Sequence, residues 1–228
     1  MNKKKVLSLA LAVIMIATIS FSTLAWFSDA DEVKNEFLVA GSDDQNPDDI
    51  FSVDVWEDIN GDGKEDTTSG HTYEDILPGD KLTKIAKVEN TGSYDQYVRV
   101  TITISDAKAW VKALGRNFDP LKLLLDGYDA SKWNLVWNNL NGHGPVPENI
   151  VLVIYYKGIL KPGEVIDVID AVKIPGSLTQ EQAAEFDGGF SVDIKAEAVQ
   201  TENVVPAGTK AGNAAEVAFE TVGLAIAE

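Results

Sequence analysis

The chain contains no cysteine, and histidine and methionine occur only twice each. The absence of cysteine excludes a disulfide framework, a thiol nucleophile and cysteine-ligated metal sites. The two histidines, His71 and His143, lie in polar, glycine-rich sequence, and no H-E-x-x-H zinc motif accompanies them. A nucleophile elbow and a phosphate-binding glycine loop are also missing. Stability must therefore come from core packing, metal ions or assembly.

Basic residues are scarce. The chain has 19 lysines and arginines against 36 aspartates and glutamates, a formal net charge of −17. No basic cluster occurs anywhere, and nucleic acid is itself a polyanion, so nucleic acid is excluded as a partner. The acidic surface favours solubility and can attract divalent cations.

Only one long apolar run is present, at residues 6–19. Lysines at positions 3–5 precede it, and the small residues Thr23 and Ala25 follow it. This pattern predicts an export signal over residues 1–25, cut by a signal peptidase between Ala25 and Trp26. The alternative is an uncleaved membrane anchor, since a span needs roughly 20 apolar residues. The remainder is long enough for one well-packed domain, which is expected to be secreted to the cell surface or the extracellular matrix.

The rest of the chain is predicted to be mainly β. Apolar and polar side chains alternate over residues 51–56, 97–104 and 190–199, as in strands with one buried and one wet face. Residues 150–156 are apolar throughout, which indicates a central strand. Pro78-Gly79 and Pro162-Gly163 each predict a type II turn before a further strand. The pattern favours an antiparallel β-sandwich.

Short helical insertions are expected around residues 105–149 and 177–187 of a domain that spans residues 42–203. Three helices are predicted, at residues 106–114 with Ser105 or Asp106 as cap, at 121–125, and at 178–186 with Ser177 or Thr179 as cap. Residues 128–149 are rich in Asn, Gly and Trp and predict a long surface excursion. The tail, 204–228, either belongs to the domain, with a short helix at 213–219, or is loosely ordered.

One segment has the spacing of a calcium loop. Residues 58–66 read D-x-N-x-D-G-x-x-D, with Gly63 at the turn. Calcium requires several hard oxygens at about 2.3–2.6 Å, and this spacing wraps them around one point. Ser69 stands where the usual twelfth-position glutamate would be, and Glu65, Glu74 or Asp75 are the nearby substitutes. The alternative interpretation is a simple Asn-Gly and Asp-Gly turn. The calcium ligands would be Asp58, Asn60, Asp62, Lys64 through its carbonyl, and Asp66.

Several motifs in order resemble the TasA/camelysin family. Trp26-Phe27-Ser28-Asp29 follows the signal, and Phe37-Leu38-Val39-Ala40-Gly41 comes about ten residues later. The similarity continues in residues 77–84 and 88–93, and it returns at residues 194–200. It spans most of the chain that remains after cleavage. Members of this family are exported proteins of Gram-positive bacteria with a specialised signal-peptidase site.

The resemblance implies a jelly-roll β-sandwich with helical insertions and a structural role in fibres of the biofilm matrix. Family members join by donor-strand exchange, in which the N-terminal segment of one subunit adds a strand to the next. Such a head-to-tail contact does not close and propagates as a filament. Here the donor would be residues 26–41. The partners would be further copies of the chain, with other matrix components or cell-surface proteins. The expected anchors are Trp26, Phe27, Phe37, Leu38 and Val39.

Two other functions are left open. Some family members carry a metallopeptidase label, for which His71 and His143 with an acidic residue would have to supply the zinc ligands. A glycan-binding sandwich is the second alternative, because tryptophan faces stack on sugars. Its candidate residues lie in or near the insertions: Trp110, Trp133 and Trp137.

Overall fold

Two antiparallel sheets stack face to face as a β-sandwich. The computed structural model describes residues 52–66, 73, 75–142, 144–186 and 189–226, together with the backbone of 28–32. These residues form nine strands: β1 (Ser28–Glu32), β2 (Val53–Asp58), β3 (Lys81–Asn90), β4 (Gln96–Ile104), β5 (Leu125–Asp126), β6 (Trp133–Asn138), β7 (Ile150–Tyr156), β8 (Val165–Lys173) and β9 (Val192–Gln200).

Strand order interleaves early and late parts of the chain. Sheet I has the order β1-β9-β4-β7-β6, and sheet II has the order β2-β3-β8-β5. The longest pairing joins β4 to β9, from Gln96 opposite Gln200 to Ile104 opposite Val192. Inward-facing side chains of both sheets form one apolar core, which includes Val55, Val88 and Ile102. The mainly β sandwich predicted from the alternating pattern is therefore confirmed.

β7 is buried on both faces, as its continuous apolar sequence predicts. Ile150, Leu152 and Ile154 point into the core between the sheets. Val153 and Tyr155 point outward and pack against the C-terminal tail instead. The tail therefore excludes water from this part of the outer face of sheet I. A strand that is covered on both faces needs apolar residues on both sides.

Both Pro-Gly sequences form the predicted turns. Gly79 and Gly163 have φ of 100° and 72°, values that L side chains rarely adopt. The N–H of the fourth residue donates to the carbonyl of the first in each turn, at 3.1 Å in 77–80 and 2.9 Å in 161–164. The carboxylates of Asp80 and Glu164 also accept from the N–H of the first residue. The two turns therefore have the same backbone and side-chain bonds.

The helices are short: α1 (Ala107–Leu114), α2 (Pro120–Leu123), α3 (Gln180–Ala183) and α4 (Ala214–Thr221), with 3₁₀ turns at Asn139–Asn141 and Ala211–Asn213. Thr179 caps α3 with a capping box, as predicted, and the Asp119 carboxylate accepts from the Leu121 N–H at the start of α2. The predicted cap of α1 is wrong in its chemistry. Asp106 precedes the helix in a left-handed conformation and makes no side-chain cap bond.

The predicted surface excursion at residues 128–149 is wrong in part. It contains β6, which pairs with β7 at the edge of sheet I. Trp133 opens this strand with 1% of its surface exposed, and its indole N–H donates to the Asp167 carbonyl across the sandwich. The asparagines of β6 favour turns locally, but burial of its apolar side chains outweighs that preference.

Within the described part of the chain, no helix is long and apolar enough to cross a bilayer. The predicted signal, residues 1–25, lies outside the described residues, as does the cut between Ala25 and Trp26.

Candidate functional site

The N-terminal strand lies on one edge of sheet I. β1 pairs antiparallel with β9, from Ser28 opposite Val199 to Glu32 opposite Lys195. β9 is held on its other side by β4, so it stays in the sheet whether or not β1 is present. Among the described residues, no strand pairs with the outer side of β1. The chain thus places a short N-terminal strand at an open edge.

β9 presents small side chains on its core face. Ala196 and Ala198 are fully buried there, below Ile194. On the outer face, Val199 is buried under the tail, while Lys195 and Glu197 are partly exposed. These two alanines give β9 a core face of small side chains next to the edge where β1 pairs. The position of these alanines beside the sheet edge was not predicted from the sequence, although their alternation is visible in residues 194–199.

The outer face of β9 is fixed to the tail by an arginine cluster. Arg99 of β4 binds the Glu197 carboxylate through Nε at 2.8 Å and Nη2 at 2.6 Å. Its Nη1 donates to the Leu224 carbonyl, and its guanidinium carbon lies 4.5 Å from the centre of the Phe219 ring. Both nitrogens contact one oxygen of the carboxylate, Oε2, while the flat face of the guanidinium stacks on the ring. These contacts therefore connect β9 to β4 and to the tail, next to the position that β1 occupies.

The opposite edge of sheet I is protected. The Tyr128 hydroxyl donates to the Trp133 carbonyl of β6 at 3.3 Å, and the same side chain bonds to the Leu135 backbone. Burial raises the pKa of Tyr128, and a phenol is in any case protonated near neutral pH. A register shift between Leu135 and Trp137 further interrupts this edge. Side-chain capping and bulges both prevent a new strand from pairing.

The predicted donor anchors lie outside the described residues: Trp26, Phe27, Phe37, Leu38 and Val39. The strand that the structure shows lies in the acidic stretch between the two apolar groups, at Ser28–Glu32. That stretch carries three acidic residues, Asp29, Asp31 and Glu32. Backbone pairing with β9 forms there nonetheless.

The predicted calcium residues share one loop after β2. The buried Asp58 carboxylate accepts from the N–H groups of Gly61, Asp62 and Gly63 at 2.6, 3.1 and 2.8 Å. Asp66 closes the loop by accepting from the backbone and side chain of Asn60 at 3.0 Å each.

The remaining bonds of this loop are local. The Asp62 carboxylate accepts from the Lys64 N–H at 3.0 Å. Gly61 and Gly63 have φ of 76° and 82°, which suits the two glycine turns. Within the described residues, no group of three or more acidic or histidine side chains is arranged to hold a metal ion. Calcium binding by this loop stays a prediction.

Replacing Asp62 distinguishes a calcium site from a simple turn. If the loop binds calcium, excess calcium should raise the melting temperature of the unmutated protein, since a ligand at 100 times its Kd adds about 2.7 kcal/mol. Asp62→Ala should abolish that rise and leave the melting temperature in chelator almost unchanged, because the bond of this exposed side chain is local. The measurement is thermal unfolding with calcium and with chelator. An unmutated protein that is indifferent to calcium would leave only the turn.

Directly before this loop lies a buried ion pair. Glu57 of β2 and Lys84 of β3 are 1% and 9% exposed, and the Lys84 ammonium donates to the Glu57 carboxylate. Glu57 occupies the inward position that follows Val53 and Val55 along β2. A register shift between Thr83 and Ala86 interrupts β3 at Lys84. Lys84 nevertheless continues the inward alternation of Ala86 and Val88 along β3, and there its ammonium meets the carboxylate.

Two of the three tryptophans expected to bind glycans are not available for stacking. Trp110 and Trp133 are buried, and Trp110 packs edge-on against Phe186 and Phe190 with ring centres 4.5 and 5.0 Å away. Trp137 is half-buried beside the tail cluster. Indoles that fill the core cannot present a face to a sugar, so the prediction for Trp110 and Trp133 is wrong. His71 and His143 lie outside the described residues.

Comparison with known proteins adds no relative. No protein-family model matches the chain, and neither a curated protein nor a solved structure matches it.

Proposed function

We propose that this protein is a structural subunit of extracellular fibres in a biofilm matrix. Its copies join when the N-terminal segment of one adds a strand to sheet I of the next. The observation that carries the proposal is the position of β1, a short strand at an open sheet edge. It begins three residues after the predicted signal-peptidase cut, so cleavage would free the segment that leads into it.

Strand order supports a jelly roll as the framework. In sheet I the last strand, β9, lies between β1 and β4, and β4 is followed by β7. In sheet II, β8 lies between β3 and β5. Pairing late strands between early ones in both sheets is what two Greek keys produce. β6 joins β7 in sheet I, and β2 extends sheet II beside β3.

The two edges of sheet I support a directed contact. The β6 edge carries the Tyr128 cap and a bulge, whereas β1 is a five-residue strand whose removal exposes the backbone edge of residues 195–199 in β9. A strand from another copy can satisfy the N–H and C=O groups of β9 as β1 does. Exchange of an equivalent element between copies has a low free-energy cost, because similar contacts are lost and regained. Repeated head to tail, the contact propagates as a filament.

The test is electron microscopy of the purified mature protein by negative stain, with N-terminal sequencing to locate the cut. The mature protein should form filaments, and a variant that lacks residues 26–40 should stay a folded monomer. β9 remains paired with β4 in that variant, so its circular dichroism should still report a β fold. Filaments of the truncated protein, or none from the intact mature protein, would show that the proposal is wrong.

A further inference from the structure

Asparagine followed by glycine occurs twice in the chain, at Asn60-Gly61 and at Asn141-Gly142. Asparagine is a thermolabile residue, and a following glycine has no side chain to shield its N–H. In deamidation the glycine nitrogen attacks the side-chain carbon Cγ, ammonia leaves, and a succinimide ring forms. Water then opens the ring to aspartate or isoaspartate. The reaction therefore needs a glycine N–H and an asparagine amide that other bonds do not hold.

Both reacting groups are held in the first pair. The Gly61 N–H donates to Asp58 Oδ1 at 2.6 Å. The Asn60 side chain is bonded at both ends, since Nδ2 donates to Asp66 at 3.0 Å and Oδ1 accepts from the Asp62 N–H at 2.8 Å. An attack on Cγ must first break the bond from Gly61 to a carboxylate, which is stronger than a bond between neutral groups. The loop after β2 thus protects its asparagine.

The second pair is free by comparison. Asn141 ends the 3₁₀ turn Asn139–Asn141, and both Asn141 and Gly142 are exposed. Neither the Gly142 N–H nor the Asn141 side chain is hydrogen-bonded to any other residue that the structure describes. Nucleophile and amide are therefore adjacent, accessible to water and unrestrained.

The rest of this turn is anchored. The Asn138 carboxamide oxygen accepts from the Leu140 N–H at 3.0 Å. Asn139 donates to the Asn149 carbonyl and accepts from the Val151 N–H, both at 2.9 Å. Leu140 is 3% exposed. Asn141 thus differs from the two asparagines before it, whose side chains hold the turn to β7.

We propose that Asn141 is a site of spontaneous deamidation in the folded protein, and that the bonds of Asp58 and Asp66 protect Asn60 from the same reaction. Gly142 supplies the nucleophile and water is the only co-reactant, so neither an enzyme nor a cofactor takes part. The change adds one negative charge to a chain of net charge −17, next to the end of the edge strand β6. It does not depend on fibre formation.

Ageing the purified mature protein in mildly alkaline buffer, with and without urea, tests the proposal. Peptide mass spectrometry in heavy-oxygen water detects the labelled carboxylate at each asparagine. In urea both pairs should react at similar rates, because no bond holds either glycine. In the folded protein Asn60 should react at least about tenfold more slowly than Asn141, since its bond to a carboxylate must open first. Equal rates in the folded protein, or an Asn141 that reacts only in urea, would overturn the proposal.

Two variants should shift the sites in opposite directions. Gly142 has a φ of −74°, and an added Cβ would lie 3.8 Å from the nearest atom, the Asn139 carbonyl oxygen, so alanine fits there. Gly142→Ala should keep the melting temperature and slow the reaction of Asn141 on the order of tenfold, because its methyl group shields the N–H. An unchanged rate would overturn the role of Gly142 as nucleophile.

Asp58→Ala releases the Gly61 N–H and should raise the rate at Asn60 close to its rate in urea. A rate at Asn60 as low as in the unmutated protein would show that the bond to Asp58 does not protect it. Because Asp58 is buried, thermal unfolding is measured beside it. If the variant unfolds, the Gly142→Ala rate and the comparison with urea still decide the proposal.

Discussion

Replacing Lys84 with methionine should lower the free energy of unfolding by about 3–5 kcal/mol. The change removes an ammonium group from a buried pair and leaves the Glu57 carboxylate without its partner inside the sandwich. Glu57 is 1% exposed, so water cannot replace the lost contact without opening the end of β2. Chemical denaturation followed by tryptophan fluorescence measures the loss.

The double variant Glu57→Met, Lys84→Met should recover most or all of this stability. Desolvation of two charges roughly cancels their attraction, so apolar residues of similar size are neutral or stabilising by about 1–4 kcal/mol relative to a buried pair. The difference between the single and double variants then reports the cost of an unpaired charge. It does not report a net contribution of the ion pair.

Lys112→Met is the matched control. Lys112 pairs with Glu185, but these side chains are largely exposed, and a surface pair contributes only about 0.2–1 kcal/mol. Equal losses in Lys84→Met and Lys112→Met would show that the Glu57–Lys84 pair is hydrated in solution. A double variant as unstable as Lys84→Met would contradict this account, because no unpaired charge remains in it.

Periodicity predicted strands wherever burial was simple. β4 and β9 alternate regularly because one face meets the core, and both formed close to the predicted positions. β6 was not predicted, because Asn134 and Asn138 favour turns. Its burial also depends on contacts with β7 and Tyr128, which the sequence of β6 itself does not indicate. Capping of α3 was predictable because the capping box is local. The left-handed conformation of Asp106 was not predictable, because it depends on the path of the chain from the end of β4 into α1.

The candidate assembly edge was predictable only in outline. An N-terminal strand was predicted from the apolar residues on either side of Ser28–Glu32. The strand that pairs with β9 is the charged segment between them. The N–H and C=O groups of a sheet edge can pair with a strand whose side chains do not alternate, so hydrophobic periodicity gives no signal for such a strand. The alanines of β9 were visible as an alternating pattern, but their place beside the edge required the strand order.

Phe219→Ala should destabilise the protein by about 3–5 kcal/mol and release the tail. Phe219 is fully buried between α4 and the outer face of sheet I. Its ring meets Tyr155 edge-on at 5.5 Å and lies under the Arg99 guanidinium. Truncation removes the aromatic contact, the cation–π contact and the packing of the second cluster together. Denaturation measures the stability, and trypsin cleavage at the exposed Lys210 measures release of the tail.

Leu77→Ala is the control, because Leu77 is 65% exposed and its truncation should change stability by no more than about 0.5 kcal/mol.

Release of the tail would uncover Tyr97, Val153 and Val199, which form an apolar surface on the face that the tail now covers. Because Arg99 joins that tail to Glu197 of β9, loss of the tail should also loosen the strand beside which β1 pairs. A Phe219→Ala protein with unchanged stability and an uncut Lys210 would show that contacts other than the Phe219 ring hold the helix.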